Sequence, residues 1–247
     1  MNDLKKYLTK DQKLLWESYL DFKAKGIKAK SKDILNKFVD SVKSDSKENI
    51  DLNALEIKKL SDNKEISIQF PLFKEIVLPT LIKFAKQNKP GFHRMIAEHE
   101  QFFFSDARLT DYLNNEFDIK EKFFDTVKFF EIELKINPND SRTAELLVIK
   151  IAQGLDYAIH ELPDWGLCWD FEYFSESIDK LADLMKKYGL DSAKWIRRLN
   201  LLTAIRKTWS DYLEQKEQSN YRDYLELINN DDSKVVLDWP NELIYDR

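Results

Sequence analysis

The sequence predicts an all-α protein, a compact array of about eight to ten helices with helix-hairpin-like packing. Apolar residues recur every three or four positions along most of the chain, which is the spacing of one face of an α-helix. The 247 residues include only 5 glycines and 6 prolines, and 34 % are charged, which is typical of long helices with charged outer faces. Hydrophobic residues make up 43 % of the chain, so a substantial core can form.

The first part of the chain, residues 1–65, is predicted as an N-terminal helical subdomain. Thr9 and Gln12 have the spacing of a capping box, in which each side chain accepts a hydrogen bond from the other residue's backbone N–H. The helix that follows is expected to end at Gly26, and Ser31 is expected to cap a second helix.

A strand-like alternation of apolar and polar residues occupies positions 66–70. We interpret it as an extended connector, because the sequence offers no partner strand. It marks the predicted start of a main domain, 66–247, and a single domain over the whole chain is the alternative. Pro71 suits the first turn of a helix, and Pro79 is expected to kink or break that helix near Leu78.

Further helices are predicted along the rest of the chain. One of them, the central helix of the main domain, is apolar on nearly every face and is therefore expected to form the core. A C-terminal tail should follow the last helix, with Trp239 as its anchor. The predicted helices cover residues 92–103, 109–117, 119–136, 143–162, 175–188, 191–216 and 219–229.

The segment directly after the central helix, Pro163–Phe174, has the most unusual composition and is named the aromatic corner below. It reads PDWGLCWDFEYF and contains five aromatic rings, a glycine, a proline and the only cysteine. Trp and Tyr are frequent hot-spot residues, and acidic neighbours attract a basic partner. We therefore predict a partner-binding surface with its acidic side chains outward and at least one Trp exposed; an irregular loop packed over the core is the alternative. The candidate residues are Asp164, Trp165, Trp169, Asp170, Glu172 and Tyr173.

Three residues near the corner are weak candidates for catalysis. Asp156 and His160 are four positions apart and so share a helix face, where the carboxylate could orient the imidazole as a base. Cys168 follows eight positions later and could act as a nucleophile. A structural Asp–His pair and a small buried thiol are the alternatives, and we assign no catalytic residue.

The other two histidines do not form a recognisable metal motif. His93 and His99 are six positions apart, which places them about 120° from each other around a helix. A metal site would need distant carboxylates, so no metal is predicted.

The five glycines are scattered singly and form no phosphate-binding loop, and no G-x-S-x-G elbow occurs. No cofactor is predicted.

Two basic segments stand out from the overall acidic composition. The first is bracketed by Trp195 and Trp209; a solvated face, an acidic protein partner and nucleic acid are its three interpretations. Its cations, called the basic face, are Lys194, Arg197, Arg198, Arg206 and Lys207. The second is a lysine run near the N-terminus, interpreted as a solvated helix end or as a contact for an acidic partner. It comprises Lys23, Lys25, Lys28, Lys30 and Lys32.

Charge and cysteine content limit the classes of function. A net charge of −5 and a pI of about 5.4 make general nucleic-acid binding an unlikely role. One cysteine cannot form an internal disulfide, and the N-terminus has no signal-peptide core, so a cytoplasmic protein is expected. The longest apolar region, 66–85, is interrupted by charged residues, so no membrane span is predicted.

The leading hypothesis is a non-enzymatic protein-binding module in a bacterial-type cytoplasm. One version is an immunity-like or antitoxin-like protein that inhibits a basic, nucleic-acid-degrading toxin. The alternatives are a helical enzyme with an Asp156/His160 site and nucleic-acid binding through residues 194–207.

Overall fold

A computed structural model describes residues 8–44, 69–215 and 220–242, and within these ranges all regular structure is helical. The all-α prediction is confirmed. The described residues form twelve helices, however, so the prediction of eight to ten was too low. The count rises because the segment 92–103 is interrupted at His99 and because the C-terminal tail is itself a helix.

The contacts divide the chain into two compact units, Met1–Asn139 and Asp140–Arg247. The predicted boundary between residues 65 and 66 lies outside the described residues and stays a prediction. So does most of the extended connector 66–70. Within the described part of the chain, none of the helices combines the length and the apolar character needed to cross a membrane.

Within residues 8–44 and 69–139, the first unit has seven helices. We number them α1 (Lys10–Ala24), α2 (Lys28–Ser44), α3, α4 (Phe92–Glu98), α5 (Glu100–Ser105), α6 (Ala107–Glu116) and α7 (Thr126–Ile136). Helix α3 has three consecutive parts, an α-helical turn Phe70–Leu72, a π-helical segment Phe73–Val77 and an α-helical segment Leu78–Ala85.

Helices α1 and α2 form a hairpin. The predicted capping box is present, since the Thr9 hydroxyl accepts from the Gln12 N–H at 3.3 Å and the Gln12 amide oxygen accepts from the Thr9 N–H at 3.0 Å. Gly26 adopts φ +69°, which lets the chain reverse at once. Helix α2 therefore begins at Lys28, and the prediction that Ser31 caps it is wrong.

The π-helical segment accommodates Pro79 without breaking α3. Pro79 has no N–H, so the carbonyl four residues earlier cannot receive its usual hydrogen bond. The chain responds by widening the preceding turn, and the Leu78 N–H donates to the Phe73 carbonyl, five residues back. The helix thus continues past Leu78, where a kink or break was expected.

A buried carboxylate joins α4 and α7. Glu133 is fully buried in α7, and its side chain accepts hydrogen bonds from the backbone N–H groups of Gly91, His93 and Arg94 at 2.5, 3.2 and 3.5 Å. These are N–H groups at the start of α4, which have no partner within the helix itself. Glu133 therefore caps α4 from a neighbouring helix.

Helix α7 starts later than predicted. Its N-cap is Asp125, whose side chain accepts from the Lys128 N–H at 3.1 Å, so residues 119–125 lie outside the helix. Phe123, which the predicted helix 119–136 included, is 81 % exposed.

The described residues of the second unit form five helices, α8 (Ser141–Ile159), α9 (Phe171–Tyr188), α10 (Ala193–Glu214), α11 (Tyr221–Ile228) and α12 (Asp231–Glu242). Helix α8 is capped by Asp140, and it buries Ala144, Val148 and Leu155 as expected of the central helix. Helix α12 replaces the predicted tail, and Trp239 within it is buried.

Candidate partner-binding surface

The aromatic corner folds back onto the end of α8. The Cys168 N–H donates to the Ala158 carbonyl at 2.8 Å, which fixes the corner against the last turn of that helix. The Trp169 indole packs directly over Gly154, and a Cβ atom at this glycine would be only 2.8 Å from the ring. Trp169 also packs against Tyr173, with 4.9 Å between the ring centroids. Trp169 is therefore a half-buried support for the corner.

Several aromatic side chains of this region face solvent. Trp165 is 86 % exposed, Tyr157 at the end of α8 is 62 % exposed, and Tyr173 in the first turn of α9 is 57 % exposed. A tryptophan so exposed contributes little to folding, because the free energy gained by burial scales with the apolar area removed from water. At least one Trp is thus available at the surface.

The three acidic side chains of the corner are all exposed, but two of them have structural contacts. Asp164 forms two hydrogen bonds with the Arg222 guanidinium, at 2.6 and 3.2 Å, and the pKa of its carboxyl is lowered by that contact. Asp170 is the N-cap of α9 and accepts from the N–H groups of Glu172 and Tyr173. Because of this cap, α9 starts at Phe171, four residues before the predicted start at Ser175.

Helix α9 carries an acidic stripe that begins in the corner. Its members are spaced by four, three and four positions, so they lie on one face of the helix, and all are exposed. They are Glu172, Glu176, Asp179 and Asp183. Asp179 pairs with Arg206. The other three have no cation partner among the residues that the structure describes. Only Glu172 was among the predicted site residues, although the helical spacing of these acidic residues in the sequence identifies the other three.

The candidate catalytic residues do not form a general-base pair. Asp156 pairs with Arg198 rather than with His160. The His160 ring lies 3.2 Å from a carboxylate oxygen of Glu161 and 3.7 Å from the Cys168 sulfur, and all three are exposed.

The protonation pattern of His160 also disfavours a Cys–His nucleophile. The nitrogen nearest the sulfur, Nδ1, lies 2.6 Å from the Tyr157 carbonyl, which can only accept a hydrogen bond. Nδ1 therefore carries a hydrogen and cannot take the proton of the Cys168 thiol. A nucleophilic dyad instead requires that the ring nitrogen facing the thiol carries no hydrogen and can accept the thiol proton.

Three cations of the basic face are neutralised by carboxylates of other helices. Arg198 pairs with Asp156 in α8, Arg206 with Asp179 in α9, and Lys207 with Asp232 in α12. Arg197 is exposed, and Lys194 is exposed with a contact of its own. Most of the positive charge of residues 194–207 is thus used within the unit, which weakens the case for nucleic acid.

His93 and His99 are both buried, so neither is a surface residue. Burial lowers the pKa of His93 to about 4, although its Nδ1 lies 4.0 Å from a Glu133 oxygen that would favour the charged form. That separation is too long for a hydrogen bond, so burial decides. The His99 Nδ1 donates to the Met95 carbonyl at 2.7 Å, and burial lowers the pKa of His99 as well. Among the described residues, no group of three potential ligands suits a metal ion.

Comparisons of the chain with protein families, with curated proteins and with solved structures found no match. The fold and the surface therefore define only a class, an all-helical protein with an exposed aromatic and acidic corner.

The Gly154→Ala substitution is expected to displace Trp169 from α8. The new methyl group would overlap the ring, so the indole should move toward solvent and its fluorescence emission should shift to longer wavelength. The gain in helix propensity, about 1 kcal/mol, should offset part of the lost packing. In a Trp169→Ala background nothing blocks the methyl group, so the same change should stabilise the protein in urea unfolding. An unshifted emission in the single variant would contradict the close packing.

Proposed function

We propose that this chain is a non-enzymatic protein-binding module whose contact surface is the aromatic corner together with the acidic stripe of α9. The partner is a protein with a basic surface. The observation that carries the proposal is the exposed indole of Trp165 in the corner that leads into α9 and its row of exposed carboxylates. Large aromatic side chains supply much of the binding energy in protein interfaces when a partner buries them.

The charge of this surface supports a basic partner over a neutral one. Glu172, Glu176 and Asp183 are exposed on one helix face and have no cation partner among the described residues. Unneutralised carboxylates attract positive charge over roughly 10 Å at moderate ionic strength, and they accelerate the encounter of oppositely charged proteins. Glu161, two positions before the corner in the chain, is also exposed and contacts the His160 ring.

The specific version that we favour is an immunity-like or antitoxin-like inhibitor in a bacterial-type cytoplasm. A nucleic-acid-degrading toxin needs a basic surface to hold phosphates, so an acidic surface is a suitable competitor for that surface. This version is supported by the net charge of −5 and by the lack of a recognisable catalytic motif in the sequence.

The experiment has two stages, of which the first identifies the partner. A photo-crosslinking amino acid is placed at Trp165 and, in a matched control, at Phe123, which is 81 % exposed in the other unit. Proteins crosslinked in the source cells from position 165 but not from position 123 are then identified by mass spectrometry and purified. Identical crosslinks from both positions would count against a specific surface.

The second stage measures affinity with the purified partner. Trp165→Ala should weaken binding by about a hundredfold, which is typical of a hot-spot truncation, without changing the unfolding midpoint. Phe123→Ala should bind like wild type. The double variant Glu172→Lys/Glu176→Lys should slow association, whereas Glu145→Lys, an exposed change outside the stripe, should have little effect.

The same reagents test the inhibitor version. The partner's nucleic-acid-degrading activity should fall with added wild-type protein and recover with the Trp165→Ala variant. An acidic partner, or affinity indifferent to both surface variants, would refute the binding surface. A basic partner without such activity would refute only the inhibitor version.

A further inference from the structure

A cavity of about 450 Å³ lies in the first unit, between the α1–α2 hairpin and the start of α3. Its wall is formed by the apolar parts of Tyr19, Leu35, Phe70 and Pro71. The volume falls within the range of about 300–1,000 Å³ that small-molecule sites occupy. Of the segments singled out in the sequence, the lysine run contributes three residues to this cavity.

Three lysines supply the charge of this cavity. Lys23, Lys28 and Lys32 line it, and the lining contains no carboxylate from the part of the chain that the structure describes. Among the described residues neither Lys28 nor Lys32 has a carboxylate partner. Their neighbours in the lysine run have other contacts, since Lys25 pairs with Asp21 at 2.7 Å and the Lys30 ammonium lies 5.5 Å from the ring centroid of Phe22.

The turn between α1 and α2 explains why these lysines gather. Gly26 reverses the chain, so the last turn of α1, with Lys23, lies beside the first turn of α2. Lys28 and Lys32 are four positions apart and share a face of α2. The first turn of α2 contains no acidic residue, so its N–H groups add to the positive potential instead of being neutralised.

We propose that this cavity, called the lysine cavity, binds a small organic phosphate with an aromatic or apolar body. A phosphate carries up to two negative charges, which suits three lysines better than a single carboxylate does. The body would pack against the apolar side chains of Phe70, Pro71 and Leu35. The site is separate from the partner-binding surface, so either proposal can fail alone.

Naphthyl phosphate is a suitable probe, because its fluorescence anisotropy reports binding directly. We expect saturable binding that weakens as salt is added. The double variant Lys28→Gln/Lys32→Gln should bind about tenfold more weakly or worse, since two charge-assisted contacts are lost. The control is Lys25→Gln/Lys30→Gln, which makes the same charge change in the same segment outside the cavity and should bind like wild type.

Three competing ligands test the chemistry of the assignment. Naphthol lacks the charge and inorganic phosphate lacks the body, so each should displace the probe only at much higher concentration. Equal potency of naphthol would overturn the role of the lysines, and equal potency of phosphate would overturn the role of the apolar wall. If an oligoglutamate peptide binds and the probe does not, the cavity is an acidic-peptide site and the proposal is wrong. Equal losses in the two double variants would show nonspecific attraction and would also overturn it.

Discussion

The Glu133→Gln substitution is expected to lower the free energy of unfolding of the first unit by about 3 kcal/mol. One carboxylate oxygen accepts from the Gly91 N–H and the other from the N–H groups of His93 and Arg94. An amide keeps the size of the side chain but replaces one acceptor by a donor. That NH₂ group would face a backbone N–H in a fully buried site, and no water could separate the two donors.

Urea unfolding followed by circular dichroism measures this loss. Glu131→Gln, a partly exposed change on the same helix, removes the same charge and should cost less than about 1 kcal/mol. Hydrogen exchange adds a local test, because the Gly91, His93 and Arg94 amides should lose protection. If the two variants unfold at the same urea concentration, Glu133 does not hold α4 in the way described.

The second large effect is a loss of stability in mild acid that depends on His93. Its pKa is lowered from 6.5 to about 4 by burial. Between these two pH values the unfolded chain binds a proton that the folded chain does not, so unfolding is favoured as the pH falls. The stability that the neutral His93 contributes is fully present above pH 6.5. At pH 4 the free energy of unfolding is lower by about 3 kcal/mol.

The His93→Leu variant should remove this part of the pH dependence. The ring lies among aromatic side chains, 5.7 Å from Phe117 and 6.1 Å from Phe129 between ring centroids, and its Nδ1 has no hydrogen-bond partner. An apolar replacement should therefore be tolerated at neutral pH. His160→Leu, which changes an exposed histidine, is the control and should keep the wild-type slope. Parallel curves of urea midpoint against pH for wild type and His93→Leu would refute the prediction.

The sequence was sufficient for the fold class, because class depends on apolar spacing that local side chains repeat many times. The capping box at Thr9 and the end of the predicted helix 175–188 were also local and were found correctly. The start of α9 was missed because Ser175 and Asp170 both suit an N-cap, and which one is used depends on how the corner returns to α8.

The candidate surface was predicted only in part, for a similar reason. Composition identified the aromatic corner, but Asp164 and Asp156 have partners 58 and 42 positions away, which no local pattern reveals. Glu133 could have been suspected, since a glutamate lies on the same helix face as Phe129, Phe130 and Leu134. The lysine cavity depends on a turn at Gly26 and on Phe70 from a third helix, so the lysine run alone could not show it.

Helix α3 links the two features of the first unit that matter most here. Its first residues, Phe70 and Pro71, line the lysine cavity, and its last part, Leu78–Ala85, packs on α4, the helix that Glu133 caps. A hydrogen-bonded helix is stiff along its axis, so a displacement at one end is carried toward the other. The widened turn Phe73–Val77 interrupts the regular pattern of α3, because its hydrogen bonds are spaced differently from those on either side. A displacement that passes along α3 from an occupied cavity toward the buried carboxylate therefore crosses the widened turn Phe73–Val77.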